Sequence, residues 1–366
     1  MRTKSTKAAT HPLILHRGTF DVDNFGDALF PHLLRQRLRG LAVDLEIEAP
    51  VGGRPWWTDA DWARPIVSAR GASAVVVGGG NVIKSGAGGV ESYERAGVAD
   101  AYGLIWGSDP KQLCRIWMAV GVPRRPDRAT TRRLRATALA DYASARDAAS
   151  VEWLAEAGHP AVCRPDAAFG VADLWPAPVE QRPWRVAGFG QPYVSVSLRS
   201  RDLLASHRDV ARAIESIAHQ LDACVVFLAL GRCHGDVEVA SAVRREIRDV
   251  PSYTANAGTL RRLCSSLAGA LMHLGSSLHG GVVSASYNVP VIWITRMPEQ
   301  GLPKLAGAMR WMPPTTRLVR SWAEASDAAR GVSVGSPVPL PDTTLAMLRT
   351  DVDDIRSQIT TRGVVS

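Results

Sequence analysis

The chain has 366 residues, 46% of them hydrophobic and 21% charged, with a net charge of +8. That length exceeds one small core and suits two domains of about 150 to 180 residues each. No apolar stretch reaches the roughly 20 residues that span a bilayer, which argues against an integral helical membrane protein. The positive charge admits nucleic acid, anionic lipid surfaces or anionic small molecules. Its arginines are dispersed through stretches such as "TTRRLRATALADY" rather than gathered with aromatic residues in one stripe, which disfavours nucleic acid.

The opening "MRTKSTKAATHPLILH" is basic but lacks the long hydrophobic centre of a signal peptide, and its first ten residues are expected to be disordered. The five cysteines (Cys114, Cys163, Cys224, Cys233, Cys264) are scattered and never spaced C-x-x-C, so neither a zinc knuckle nor a disulfide framework is expected. They read as reduced thiols of a cytoplasmic protein, free or at the inner face of the membrane, with no metal and no bound cofactor. From "PLIL" through "AVDLEIE", "SAVVVGG", "RIWMAVGV", "AVCRP", "YVSVSL", "ACVVFLAL" and "ALMHLG" to "VPVIWIT", short β-rich runs alternate with amphipathic helical stretches. That alternation predicts right-handed βαβ units, hence an α/β fold of two Rossmann-like domains facing a cleft. The stretch from residue 171 to 192, rich in proline, glycine and tryptophan, keeps no period and marks the break. The expected domains are residues 11–175 and 191–335, joined by a linker at 176–190. A helical tail at 336–366 follows, its helix expected to cross back onto the first domain.

Four stretches carry candidate chemistry. After the first strand, Asn24, Gly26 and Asp27 precede or open a helix at the sheet's carboxyl edge, where ligands of open α/β sheets bind; equally, Asn24 or Asp27 could only cap that helix. Next, Gly78, Gly79, Gly80 and Asn81 end an apolar strand. The glycines either turn their N–H groups to an anion or make a plain tight turn, and no dinucleotide or Walker pattern follows. In "YVSVSLRSRD", Arg199 and Arg201 stand two apart, so strand alternation would put both on one face to grip a phosphate or carboxylate; the alternative is solvated surface. Finally "GSSLHGGVVSASYNVPVIWI" places Ser277, Leu278 and His279 at a strand end and in the first turn of a helix, whose positive end favours anions nearby. Gly280 and Gly281 are expected to clear space beside the histidine. Two further features stay open. His234 and Asp236 follow the strand "CVVFLAL", Asp236 as an expected N-cap and His234 as a second cleft histidine. Trp56, Trp57 and Trp62 could stack on a sugar or simply pack.

Taken in order, Asn24-Phe25-Gly26-Asp27, Val77-Gly78-Gly79-Gly80-Asn81, the Arg146-Asp147…Ser150 segment, Pro165-Asp166…Phe169 and Leu278-His279-Gly280 resemble the motifs of the polysaccharide pyruvyl transferase family, over about residues 20 to 295. One departure is Ser277, where many relatives carry arginine. The resemblance implies a fold like the two-domain B-type glycosyltransferases, and transfer of a pyruvyl group as a ketal from phosphoenolpyruvate, a co-substrate, to a sugar acceptor, free or lipid-linked. It puts His279 in the donor pocket. Asn24 and Asp27 would face it across the cleft, Asp27 as a candidate base, while Arg199 before Arg201 would clamp the donor. The rival expectations are a nucleotide-sugar glycosyltransferase on the same fold and a non-catalytic sugar-binding relative.

Overall fold

The computed structural model describes residues 11–67, 69, 71–86, 89–107, 113–177, 190–200, 203–255, 257–295, 303–332 and 337–362. The first half holds strands β1 (Leu13–Arg17), β2 (Asp44–Ala49), β3 (Arg64–Pro65), β4 (Ala74–Gly78), β5 (Cys114–Val120), β6 (Tyr142–Ala145) and β7 (Val162–Cys163). The second holds β8 (Tyr193–Ser197), β9 (Cys224–Phe227), β10 (Ser252–Thr254), β11 (Met272–Gly275), β12 (Val291–Ile294) and β13 (Arg317–Val319). They form two parallel sheets, ordered β3-β2-β1-β4-β5-β6-β7 and β10-β9-β8-β11-β12-β13. In each, the first strand in the chain lies inside the sheet and the order reverses beside it, so each half has a switch point, between β1 and β4 and between β8 and β11.

The central strands are legible because helices cover both faces of the sheet: every residue of β4 and β5 is buried, giving apolar runs instead of alternation. The short edge strands β3, β10 and β13 carry no such run and give no strand signal. The last helix, Asp342–Thr361, packs on the first sheet, with Ile355 and Ile359 against Ile14, Leu34, Val76 and Met118. Its buried Asp351 accepts hydrogen bonds from Arg37 (2.7 Å) and the Tyr142 hydroxyl (2.8 Å).

The carboxyl edges of the two sheets meet over one continuous core. Phe25, Leu29, Phe30, Trp57 and Phe169 from the first half pack with Leu230, Leu260, Leu278 and Trp311 from the second. Backbone bonds stitch the seam: the Phe25 N–H donates to the Leu230 carbonyl (2.7 Å) and the Cys233 N–H to the Asp23 carbonyl (3.2 Å). The Asp59 carboxylate reaches across to accept the Leu260 and Arg261 N–H groups (2.7 and 3.2 Å), satisfying orphan donors at the start of the helix Leu260–Ala268. No described helix is long and apolar enough to cross a membrane.

Candidate active site

Both switch points open into the same cleft, walled by Thr19, Asn24 and Asp27 after β1, Asn81 and Lys84 after β4, and Arg146 after β6. Facing them are Arg199 after β8, Gly231, Cys233 and His234 after β9, Ser277, Leu278 and His279 after β11, and Lys304. Asn24, Asp27, Asn81, Arg199, His234, Ser277, Leu278 and His279, singled out one by one from the sequence, thus share one cavity. Arg201 lies outside the described residues. Asn24 satisfies both of its readings, since its side chain caps the helix Phe25–Arg37 by accepting the Gly26 N–H (3.3 Å) and also lines the cleft.

His279 sits at the middle of the seam. Ser277 caps its helix, Leu278–Ser286, by accepting the Gly280 N–H (3.2 Å), which holds the imidazole in the first turn. The ring meets Phe30 edge-on at 5.5 Å between centroids, and its Nε2 lies 3.6 Å from Asp166 Oδ2. Asp166 in turn accepts from Arg146 Nη1 (2.8 Å) and the Ala168 N–H (3.0 Å), while Arg146 Nη2 donates to Asn81 Oδ1 (2.6 Å). Arg146 Nε and His279 Nε2 are buried polar atoms with no hydrogen-bond partner among the described residues. Both residues line the cleft, so their unsatisfied nitrogens lie beside its cavity.

The two carboxylates are driven apart. Burial pushes the Asp27 carboxyl above its ordinary range, against the pull of His279, Thr19, Arg146 and Lys84. Burial pushes Asp166 the same way, but His279, Arg146 and the Ala168 N–H together overrule it and hold this carboxyl well below the usual range. Burial thus favours a proton on Asp27, while Asp166 is held ionised by its cationic and N–H neighbours.

Arg146 and Asp166 are candidate site residues that the separate motifs did not mark, although both stand in the family-like segments. The structure accounts for those segments residue by residue. Asp147 caps the helix Ala148–Glu156 by accepting the Ser150 N–H (2.7 Å), and Ser150 Oγ accepts the Val122 N–H (2.9 Å). The next turn along, Asp166 closes on Ala168 and Phe169 enters the core. Thr19, Lys84 and Lys304 carried no sequence signal, because their approach depends on which loops the two sheets bring together.

The glycines need correction. Gly26, Gly79, Gly80 and Gly280 do not line the cavity. A Cβ on Gly26 would overlap the His279 ring, one on Gly79 would overlap Phe30, and one on Gly80 would press on Asp27. Gly79 also spends its N–H on the Met118 carbonyl (3.2 Å), and the Gly78–Gly80 loop turns tightly with positive φ throughout. Gly280 fits against His273 and Leu230, and Gly281 against Trp293; they seat the helix on its sheet instead of clearing space beside His279. Asp236 is not an N-cap either: Gly235 takes that position, and Asp236 turns back to accept the Gly231 N–H (2.6 Å), bracing the loop that carries His234. Among the tryptophans, Trp57 packs edge-on against Phe25, while Trp56 is half exposed with the Arg232 guanidinium 4.0 Å over its ring, and Trp62 is exposed.

The sequence model of the polysaccharide pyruvyl transferase family matches residues 24–296. No curated protein sequence matches the chain significantly. Among solved structures it is similar to the UDP-GlcNAc 2-epimerase of Methanocaldococcus jannaschii, in complex with UDP-GlcNAc and UDP (TM-score 0.56, 12% identity, 96% of this chain and 99% of that one). It is also similar to the UDP-N-acetylglucosamine 2-epimerase of Rickettsia bellii (0.56, 10%, 96% and 96%) and to that of Neisseria meningitidis bound to UDP-GlcNAc (0.51, 10%, 95% and 100%). At such identities the likeness is one of fold: two parallel-sheet α/β domains about a cleft, as in the B-type glycosyltransferases.

Proposed function

Because the chain belongs to the polysaccharide pyruvyl transferase family, we propose that it transfers a pyruvyl group from phosphoenolpyruvate to two hydroxyls of a sugar, releasing phosphate. The observation that carries the donor assignment is the concentration of Lys84, Arg146, Arg199, Lys304 and His279 around a single small cavity. A small donor bearing both a phosphate and a carboxylate matches that wall, and arginine is suited to gripping either group through two parallel bonds.

In the reaction the donor's methylene carbon gains a proton and becomes a methyl group. The enol carbon loses its phosphate oxygen and gains two sugar oxygens. The two hydroxyl protons end on the methyl carbon and on the released phosphate, so atoms balance. In this reading His279 delivers a proton or stabilises charge at the reacting carbon, and Asp166, 3.6 Å from its Nε2, orients it. Asp27, raised by burial, serves as the base for an attacking hydroxyl. Arg146 and Arg199 hold the anionic groups from opposite halves of the fold.

The neighbours bound to UDP-GlcNAc support a second reading, a nucleotide-sugar transferase, through fold alone. Purified protein incubated with phosphoenolpyruvate and a panel of sugars, followed by phosphate release and product mass, separates the two. Phosphate release with a pyruvylated product is expected. UDP release from a nucleotide sugar, without phosphate release from phosphoenolpyruvate, transfers the assignment, and binding without turnover of either leaves a non-catalytic sugar-binding protein.

A further inference from the structure

Beside the cleft the first half carries a set of arginines that pyruvyl transfer does not use. Pro123 lines the cavity, and the chain leaves it through the exposed Arg124 and Arg125 to the helix Arg128–Ala136, "RATTRRLRA", which contains no acidic residue. Thr130 and Leu134 are the buried side of that helix, so Arg128 and Arg132, four apart, stand together on its outer side. The neighbouring acids are already engaged: Glu156 with Arg125 (2.7 Å), Asp100 with Arg133, and Asp127 in capping the helix through the Thr130 N–H (2.7 Å). Arg124, Arg128 and Arg132 are exposed and have no ion-pair partner among the described residues. On the far side the short helix Ala101–Ile105 packs against this one where Gly103 meets Arg133; its Tyr102 lines the cavity and its Leu104 is 38% exposed. Next to two residues of the cleft wall, Pro123 and Tyr102, the chain thus carries a rim of three exposed guanidiniums without ion-pair partners among the described residues and one exposed leucine.

We propose that this rim docks on an anionic membrane surface and holds the cleft mouth at the level of the lipid headgroups. Unpaired arginines gain from the negative surface potential of such a membrane, and an adjacent apolar side chain can enter the interface. A nucleic-acid strand fits less well, because it calls for exposed aromatic rings between the cations. The aromatic residues here, Tyr102 and Trp106, are both buried, the second covered by Arg133. The inference concerns binding alone and stands apart from the identity of the donor.

The test is co-sedimentation of the full chain with phosphatidylglycerol–phosphatidylcholine vesicles, with pure phosphatidylcholine vesicles as the neutral arm. The wild-type protein should bind the anionic vesicles and weaken as salt rises. Arg124→Ser/Arg128→Ser/Arg132→Ser should bind on the order of a hundredfold more weakly. The matched change Arg208→Ser/Arg245→Ser/Arg248→Ser, at exposed arginines of the other half, should bind nearly as wild type. Leu104→Asp gives an independent measure and should also weaken binding. Equal losses in the two triple variants, absence of wild-type binding to anionic vesicles, or preference for a phosphodiester oligonucleotide over vesicles would overturn the proposal.

Discussion

A methyl group on Gly26 would have to enter the space of the His279 ring, so Gly26→Ala tests whether that contact positions the histidine. The ring is hemmed by Phe30 at 5.5 Å between centroids and Asp166 at 3.6 Å, which leaves it no easy retreat. Overpacking a closed site costs about 1 to 3 kcal/mol, and alanine in place of glycine in a helix returns up to about 1 kcal/mol, so the single substitution should destabilise by about 1 to 2 kcal/mol. In a His279→Ala background the obstacle is gone and the helix gain remains, so the same substitution should stabilise by up to about 1 kcal/mol. The change of sign is the signature, a coupling of about 1 to 3 kcal/mol between residues on opposite halves of the fold. Chemical denaturation of the four proteins measures it. Phosphate release should fall by about a hundredfold in Gly26→Ala, because the displaced His279 loses the geometry that the proposed reaction requires. Additive stabilities within about 0.5 kcal/mol, or wild-type turnover in Gly26→Ala, would refute the reasoning.

His279→Gln should lower turnover at least about a hundredfold while the melting temperature stays near wild type; a lowered melting temperature with normal turnover per folded molecule would make His279 a packing residue. Arg199→Lys keeps the charge but loses the planar fork, and should raise the donor KM about tenfold or more; unchanged kcat and KM would remove Arg199 from the donor grip. Acid should destabilise the protein through His16 and His273, each buried and held down to about 3 from an ordinary 6.5, in both cases by burial. The folded state favours their neutral forms, so their contribution is complete above pH 6.5 and is lost as pH falls towards 3. At pH 5 each should cost about 2 kcal/mol relative to neutral pH, read by urea unfolding at the two pH values. His16 Nε2 bonds to the Gly78 carbonyl (2.7 Å) and its Nδ1 has no partner, which leaves an added proton unsatisfied. A flat stability profile between pH 7 and pH 5 would contradict this assignment.

The amino-acid sequence determined what depends on neighbours a few residues away. Apolar runs such as Ala74–Gly78 predict buried parallel strands, the Ser277 and Asn24 positions predict helix starts, and together these predict two α/β halves with polar groups at the strand ends. The ordered motifs pointed to the family for the same reason, since each is a local turn around a side chain. Tertiary structure alone decided which strand ends meet, because strand order is set by packing between elements far apart in the chain. Only then does Asp166 reach His279, does Arg146 join Asn81, and does Gly26 make room for a ring from the other half. The glycines show the difference most clearly. Their missing side chains suggest open space for a ligand when read along the chain, yet in the folded protein that space is filled by Phe30, His273, Trp293 and His279.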